Sequence, residues 1–258
     1  MATISVGPSE LYYETFGNGP AVVFVHGVGG NHASWFAQVG AFAPYCQVVT
    51  FDQRGFGNSP DEEQLGRDAM ADDLLRLLDA LKLERATLVA QSMGGGPCID
   101  LTCRDPQRVS ALVLADTLIG LRLDPDLEAK MAPIRAATAN LSQVERVIGR
   151  RTNERRPDQT FLYLQIASFN RVTAKTIRGK FPLHTVEELA ETRVPVQFVV
   201  GEDDVLMPPE IVCAVRERLP GSRLYQIAEV GHSAHFEAPD AFNACVLDYL
   251  REVGAVRA

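Results

Sequence analysis

The sequence predicts an α/β fold, and three observations carry that expectation. Short valine-rich runs recur along the chain, most of them apolar at nearly every position, and segments with helical spacing separate them. A run without polar alternation belongs to a strand covered by helices on both faces, as in a parallel sheet. Strand and helix alternating over 258 residues then give an α/β architecture.

Taken in order, Leu11–Phe16 alternates loosely and reads as an antiparallel edge strand at the start. Ala21–His26 (AVVFVH), Gln47–Asp52 (QVVTFD), Ala86–Gln91 (ATLVAQ), Ala111–Asp116 (ALVLAD) and Val196–Gly201 (VQFVVG) read as buried strands. Arg223–Ile227 reads as one more. Asp68–Leu81 places Met70, Leu74, Leu77, Leu78 and Leu81 three and four residues apart, the spacing of an amphipathic helix. Ile211–Leu219 and Phe242–Val253 follow the same pattern. From Leu118 to Leu183 the rhythm breaks: no strand is evident, and Asp124-Pro125 and Leu141-Ser142 read as helix starts. Between positions 145 and 180 nine basic residues meet three acidic ones, a net of +6 in an otherwise acidic chain. Such a run reads first as a solvated helical face and second as a lid that attracts anionic substrates.

Composition excludes several classes. The chain carries 25 Lys+Arg against 33 Asp+Glu, a net charge of −8, which argues against nucleic acid as a partner. The apolar run Ala21–Val25 is far short of the ~20 residues that span a bilayer, so no membrane association is expected. Positions 1–10 show neither a basic start nor an apolar stretch, and the five cysteines are scattered without a CxxC pair. Both features lead us to expect a cytoplasmic protein with reduced thiols. HExxH, cysteine-quartet and GxxxxGK[ST] patterns are absent, so neither metal nor cofactor is expected.

The strongest local signal is Ala90-Gln91-Ser92-Met93-Gly94-Gly95-Gly96, at the junction of a strand and the helix expected to begin at Met93. A serine on such a sharp turn presents its hydroxyl at the end of the sheet, and small neighbours allow the backbone to crowd it. A hydroxyl needs a base, and the base an orienting carboxylate. Of five histidines, His232 lies in a loop just past a strand and is the expected base; His26 ends a buried strand, where packing explains it. Asp204, after the strand ending at Gly201, is the expected acid, with Asp203 as the alternative. The glycines of His26-Gly27-Val28-Gly29-Gly30 let backbone approach the same place. The N–H groups of Val28 and Met93 are the expected oxyanion hole. Gly27, Leu118, Phe161 and Phe169 are expected to contact the substrate, the last three from an apolar surface in or beside the 118–183 segment.

With these pieces together, the sequence resembles the α/β-hydrolase family over essentially its whole length. The matching segments are HGVGG at 26–30, FDQRGFGNS at 51–59, AQSMGGG at 90–96, GEDD at 201–204 and EVGHSAHFE at 229–237. The order serine, aspartate, histidine matches that fold. The resemblance implies an eight-stranded, mostly parallel sheet flanked by helices, with core segments 1–117 and 184–258 and a helical cap at 118–183 inserted after the sixth strand. It also implies structural roles for Asp52, Arg54 and Gly55. Ala90 departs from the pattern, since glycine is commoner there. Ser92 stands where dehalogenases and epoxide hydrolases of this fold place an aspartate, which argues against both.

The expected activity is hydrolysis of a small carboxylic ester through an acyl-enzyme on Ser92, the substrate being a small-molecule ester or lactone. The alternative is an enol-lactone or carbon–carbon bond hydrolase of aromatic ring cleavage, for which Arg171 could hold a carboxylate. Outside hydrolysis, a lyase, a cofactor-free oxygenase or a non-catalytic binding protein could use the same fold.

Overall fold

The structure is a computed structural model and describes residues 2–257. Eight strands form one sheet: β1 (Ala2–Ser5), β2 (Glu10–Phe16), β3 (Ala21–Val25), β4 (Gln47–Phe51), β5 (Ala86–Gln91), β6 (Val109–Ala115), β7 (Val196–Gly201) and β8 (Arg223–Ile227). Their order across the sheet is β1-β2-β4-β3-β5-β6-β7-β8. β1 and β2 run antiparallel to their neighbours, and every pairing from β4 to β8 is parallel. The Leu11–Phe16 segment is therefore antiparallel as expected but not the edge. β1, which sequence patterning did not reveal, pairs outside it; its four residues, Ala2–Ser5, are too few for their alternation to stand out.

Helices cover both faces. They are α1 (Phe36–Phe42), α2 (Met70–Ala80), α3 (Gly95–Arg104), α4 (Pro125–Thr138), α5 (Gln143–Val147), α6 (Arg150–Arg155), α7 (Pro157–Ser168), α8 (Val186–Glu191), α9 (Pro209–Glu217), α10 (Ala234–Glu237) and α11 (Pro239–Glu252). The strand side chains explain the layering. Val23, Val25, Leu88, Ala90, Leu112, Leu114, Phe198 and Val200 pack with α2, α3 and α9 residues such as Leu74, Ile99 and Val215. Their alternates Val22, Phe24, Val89, Val113 and Val199 pack on the other side with Trp35, Phe42, Phe242 and Val246. Each fully buried aliphatic side chain contributes about 1.5–3 kcal/mol, so two continuous apolar layers hold the sheet without disulfides; all five cysteines are free.

Helices α4 to α7 lie between β6 and β7, in the segment expected to be the cap. Ser142 caps α5 with a reciprocal box, accepting from the Glu145 N–H while the Glu145 side chain accepts from the Ser142 N–H. No described helix is long and apolar enough to cross a membrane.

Strand ends differ from the expected ones in a way that positions the site. His26, Asp52 and Asp116 lie just past β3, β4 and β6 rather than inside them. Together with Ser92 after β5, Asp204 after β7 and His232 after β8, they gather beyond the carboxyl edge of the parallel strands, where ligands of open α/β sheets bind.

Candidate active site

Ser92 follows β5 directly and opens a 3-10 turn, Ser92–Gly94, that runs into α3. The regular helix thus starts at Gly95, two residues later than expected at Met93. The turn is sharp: Ser92 has φ of +49°, a left-handed conformation rare for a residue with a side chain. Close backbone approach explains the glycine beside it, because a methyl at Gly94 would run into the carbonyl of Val25. Ala90 sits fully buried in the main core, and the turn forms without glycine at that position.

The His232 ring bridges two partners. Its Nε2 is 2.8 Å from Ser92 Oγ, and its Nδ1 is 2.8 Å from Asp204 Oδ2. His232 and Asp204 are buried and Ser92 is half-buried. The other carboxylate oxygen of Asp204 accepts the N–H groups of Leu206 at 2.8 Å and Met207 at 3.0 Å, which fixes the rotamer. Asp203 points elsewhere, toward Arg151 Nε at 3.5 Å, so Asp204 is the carboxylate that meets the histidine. Burial pushes the His232 pKa down, but the charge of Asp204, the hydrogen bond to it and the more distant Asp116 outweigh burial and raise it above the ordinary histidine value.

Two residues that sequence reasoning did not single out brace this pair. Gln91 Nε2 donates to the carbonyl of His232 at 2.7 Å, tying the serine turn to the histidine loop. Asp116 is fully buried with φ of +51° and accepts the N–H groups of Gly201 at 2.9 Å and Ala234 at 3.0 Å. It thereby joins the ends of β6 and β7 to the chain just past His232. Burial and the nearby Asp204 carboxylate raise its pKa. Its place as the last polar residue of an apolar run was visible in the sequence; its partners, more than eighty residues away, were not.

The Gly27–Gly30 loop arrives from β3 and is closed by the Gly30 N–H donating to the Gly27 carbonyl at 3.1 Å. Gly27 touches Ser92 and Gln91, and a Cβ there would meet both side chains. The Val28 N–H takes no part in closing the loop, and the Met93 N–H lies in the first turn of its helix, where intrahelical acceptors are missing. Val28 and Met93 also share an apolar cluster with Phe56, Met70, Val172, Ile177 and Phe181. Beneath the loop His26 is buried, its Nδ1 2.8 Å from the Gly27 carbonyl and its Nε2 accepting from Gln53 N–H at 3.0 Å. Burial lowers its pKa to about 4, so it stays neutral and structural. Asp52 accepts from the N–H groups of His32 at 2.7 Å and Asn58 at 2.8 Å, bracing the neighbouring loops.

The four expected substrate contacts fall in different surroundings. Phe161 is 63% exposed on the outer face of α7, because the helix turns Thr160, Tyr163 and Ile166 inward. Phe169, just past α7, is 71% exposed. Leu118 is buried in the main core with Leu121, Leu127 and Met131. Gly27 lies against Ser92. The residues that gather about Val28 and Met93 are instead Phe56, Val172, Ile177 and Phe181, which no regular spacing links in the sequence.

Four of the nine basic residues between positions 145 and 180 are paired with carboxylates. Arg151 pairs with Glu229 at 3.1 Å and Asp203 at 3.5 Å, and Arg155 with Glu229 at 2.9 Å, latching α6 to the core. Arg150 and Arg156 pair with Glu154 and Asp158. Arg171 lines a cavity of about 370 Å³ with Arg54, Asp61 and Arg178; neither Ser92 nor His232 borders it. No group of three or more metal-ligating side chains occurs among the described residues.

The sequence model described as the alpha/beta hydrolase family matches residues 22–245. The chain belongs to that family. A protein of Caulobacter sp. (strain K31) named as a carbamate hydrolase, RutD, is 30% identical over 93% of this chain and 95% of its own length. Among solved structures, Est816, described as an N-acyl homoserine lactone degrading enzyme, is similar with a TM-score of 0.79 and 26% identity, covering 96% of this chain and 99% of that one. An esterase from Thermogutta terrifontis has a TM-score of 0.81 at 23% identity, covering 98% and 99%, and shows likeness of fold alone.

Proposed function

We propose that the protein is a serine hydrolase that cleaves small carboxylic esters through an acyl-enzyme, with Ser92 as nucleophile, His232 as base and Asp204 as the orienting acid. The observation that carries this reading is the continuous hydrogen-bonded line from Asp204 through His232 to Ser92, both links 2.8 Å long.

The steps follow from that line. Ser92 Oγ attacks the carbonyl carbon and gives its proton to His232 Nε2, while Asp204 keeps the Nδ1 proton in place and stabilises the imidazolium. Negative charge develops on the carbonyl oxygen, for which the N–H groups of Val28 and Met93 supply donors, each worth about 3 kcal/mol at such a site. The leaving alcohol departs with the proton from His232. Water then gives a proton to His232, attacks the acyl carbon and releases the acid, returning the proton to Ser92. The apolar group formed by Phe56, Met93, Ile177 and their neighbours suits an uncharged acyl chain.

A carbamate or lactone is the second reading, favoured by the names of two relatives, 30% and 26% identical, and by a chemistry that shares the first attack. Carbon–carbon cleavage of a dienoic acid has less support, because Arg171 faces a separate cavity. The test is turnover of p-nitrophenyl esters from acetate to octanoate, a homoserine lactone and a dienoate by wild type and Ser92→Ala. Ser92-dependent ester turnover supports the proposal; a dienoate preferred by orders of magnitude overturns it.

A further inference from the structure

Tyr163 has no part in the steps above, yet the fold brings its hydroxyl between the two loops that carry them. The residue is 5% exposed, and its ring packs edge-on against Phe236 with centroids 5.4 Å apart. The phenol oxygen lies against Gly29, where even a methyl would collide with it, and the Gln143 amide lies beside the same point. Ser233 and Gln143 are the side chains within hydrogen-bonding influence of this hydroxyl. Gly29 follows Val28 and Ser233 follows His232, so the phenol faces the junction of the oxyanion loop and the histidine loop. A leaving group departs on the histidine side, since it takes its proton there.

The cap holds Tyr163 in place from its own end of α7. Asn31 is 2% exposed and its amide donates to the Ile166 carbonyl at 2.9 Å. Asn170 donates to the Gly30 carbonyl at 3.0 Å and accepts from the Gly57 N–H at 3.2 Å. These bonds fix α7 to the oxyanion loop, which is the rigidity a recognition group needs. The polar groups at this junction, Tyr163, Gln143 and Ser233, are all uncharged. The nearest carboxyl, Glu237, accepts the Ser233 N–H at 3.3 Å and would repel an anion.

We propose that the Tyr163 hydroxyl donates a hydrogen bond to an oxygen of the leaving group, so that the enzyme selects esters whose leaving group is neutral and carries an acceptor atom. This rests on the serine hydrolase reading. The test uses two esters of nearly equal shape, 2-methoxyethyl butanoate and butyl butanoate, which differ by an ether oxygen in place of one methylene. Wild type should prefer the methoxyethyl ester in kcat/KM by roughly five- to tenfold, the net worth of one such bond. Tyr163→Phe should erase that preference while leaving the butyl ester within about twofold. Equal use of both esters by wild type, or a loss shared equally by both in Tyr163→Phe, overturns the assignment while leaving the hydrolase reading standing. Failure of Ser92-dependent turnover on both esters and on p-nitrophenyl butanoate removes the hydrolase reading and this assignment with it.

Discussion

The core half and the cap half of the site are held together by different forces. On the core side, Asp204, Asp116, Gln91 and His232 are buried and tied by hydrogen bonds to backbone at the ends of β5, β7 and β8. On the cap side, α6 is latched by Arg151 and Arg155, which are 39% and 65% exposed, to the exposed Glu229. Buried bonds of the first kind are insensitive to salt, whereas exposed pairs are screened and contribute about 0–1 kcal/mol each. The lesson is a division of labour: the groups assigned to bond breaking sit on rigid strand ends, α7 is fixed to the Gly27–Gly30 loop by buried bonds, and only the α6 edge of the covering layer is held by screened surface pairs.

The largest effect should come from the core side. Asp204→Asn removes the acceptor that holds the His232 tautomer and should lower kcat on esters about 10⁴-fold, equally at low and high salt. A salt-dependent loss would break the comparison. Gly27→Ala should come next. The added methyl meets Gln91 and Ser92, and displacing the nucleophile slightly should cost about 10²-fold in kcat with the circular dichroism spectrum unchanged.

The pH profile sharpens the same point. The ring must be neutral to accept the Ser92 proton, and its pKa is raised, so kcat/KM should climb with pH through a midpoint above 6.5. Asp116→Asn removes one of the charges that favour the protonated ring and should move that midpoint downward. An unchanged midpoint would show that Asp116 is already uncharged in that range and acts on loop position alone.

Smallest should be the cap latch. Arg151→Ala with Arg155→Ala should change unfolding free energy by about 1 kcal/mol or less. It should nevertheless speed proteolysis within α5–α7 at low salt, with wild type converging on the variant as salt rises.

The same division governs what could be read from sequence. Strand ends and glycine-rich turns leave local marks, so the α/β fold and the residues now lying around Ser92 were legible from short motifs. Asp116 and Gln91 were not, because their partners depend on which strands become neighbours. Cap contacts were hardest. α7 shows no clean apolar stripe, since its inward positions are Thr160, Tyr163 and Ile166 while Phe161 faces water. Hydrophobicity therefore did not reveal which positions of α7 turn inward, and Val172, Ile177 and Phe181 come from an irregular stretch without any period.

The most direct test of the account is rapid-quench mass spectrometry of wild type turning over p-nitrophenyl butanoate. The account predicts a butanoyl group on the peptide containing Ser92, formed with the burst of nitrophenol, persisting longer at acidic pH, and absent from Ser92→Ala. Steady ester turnover with no adduct, or with the acyl group on another residue, would contradict it.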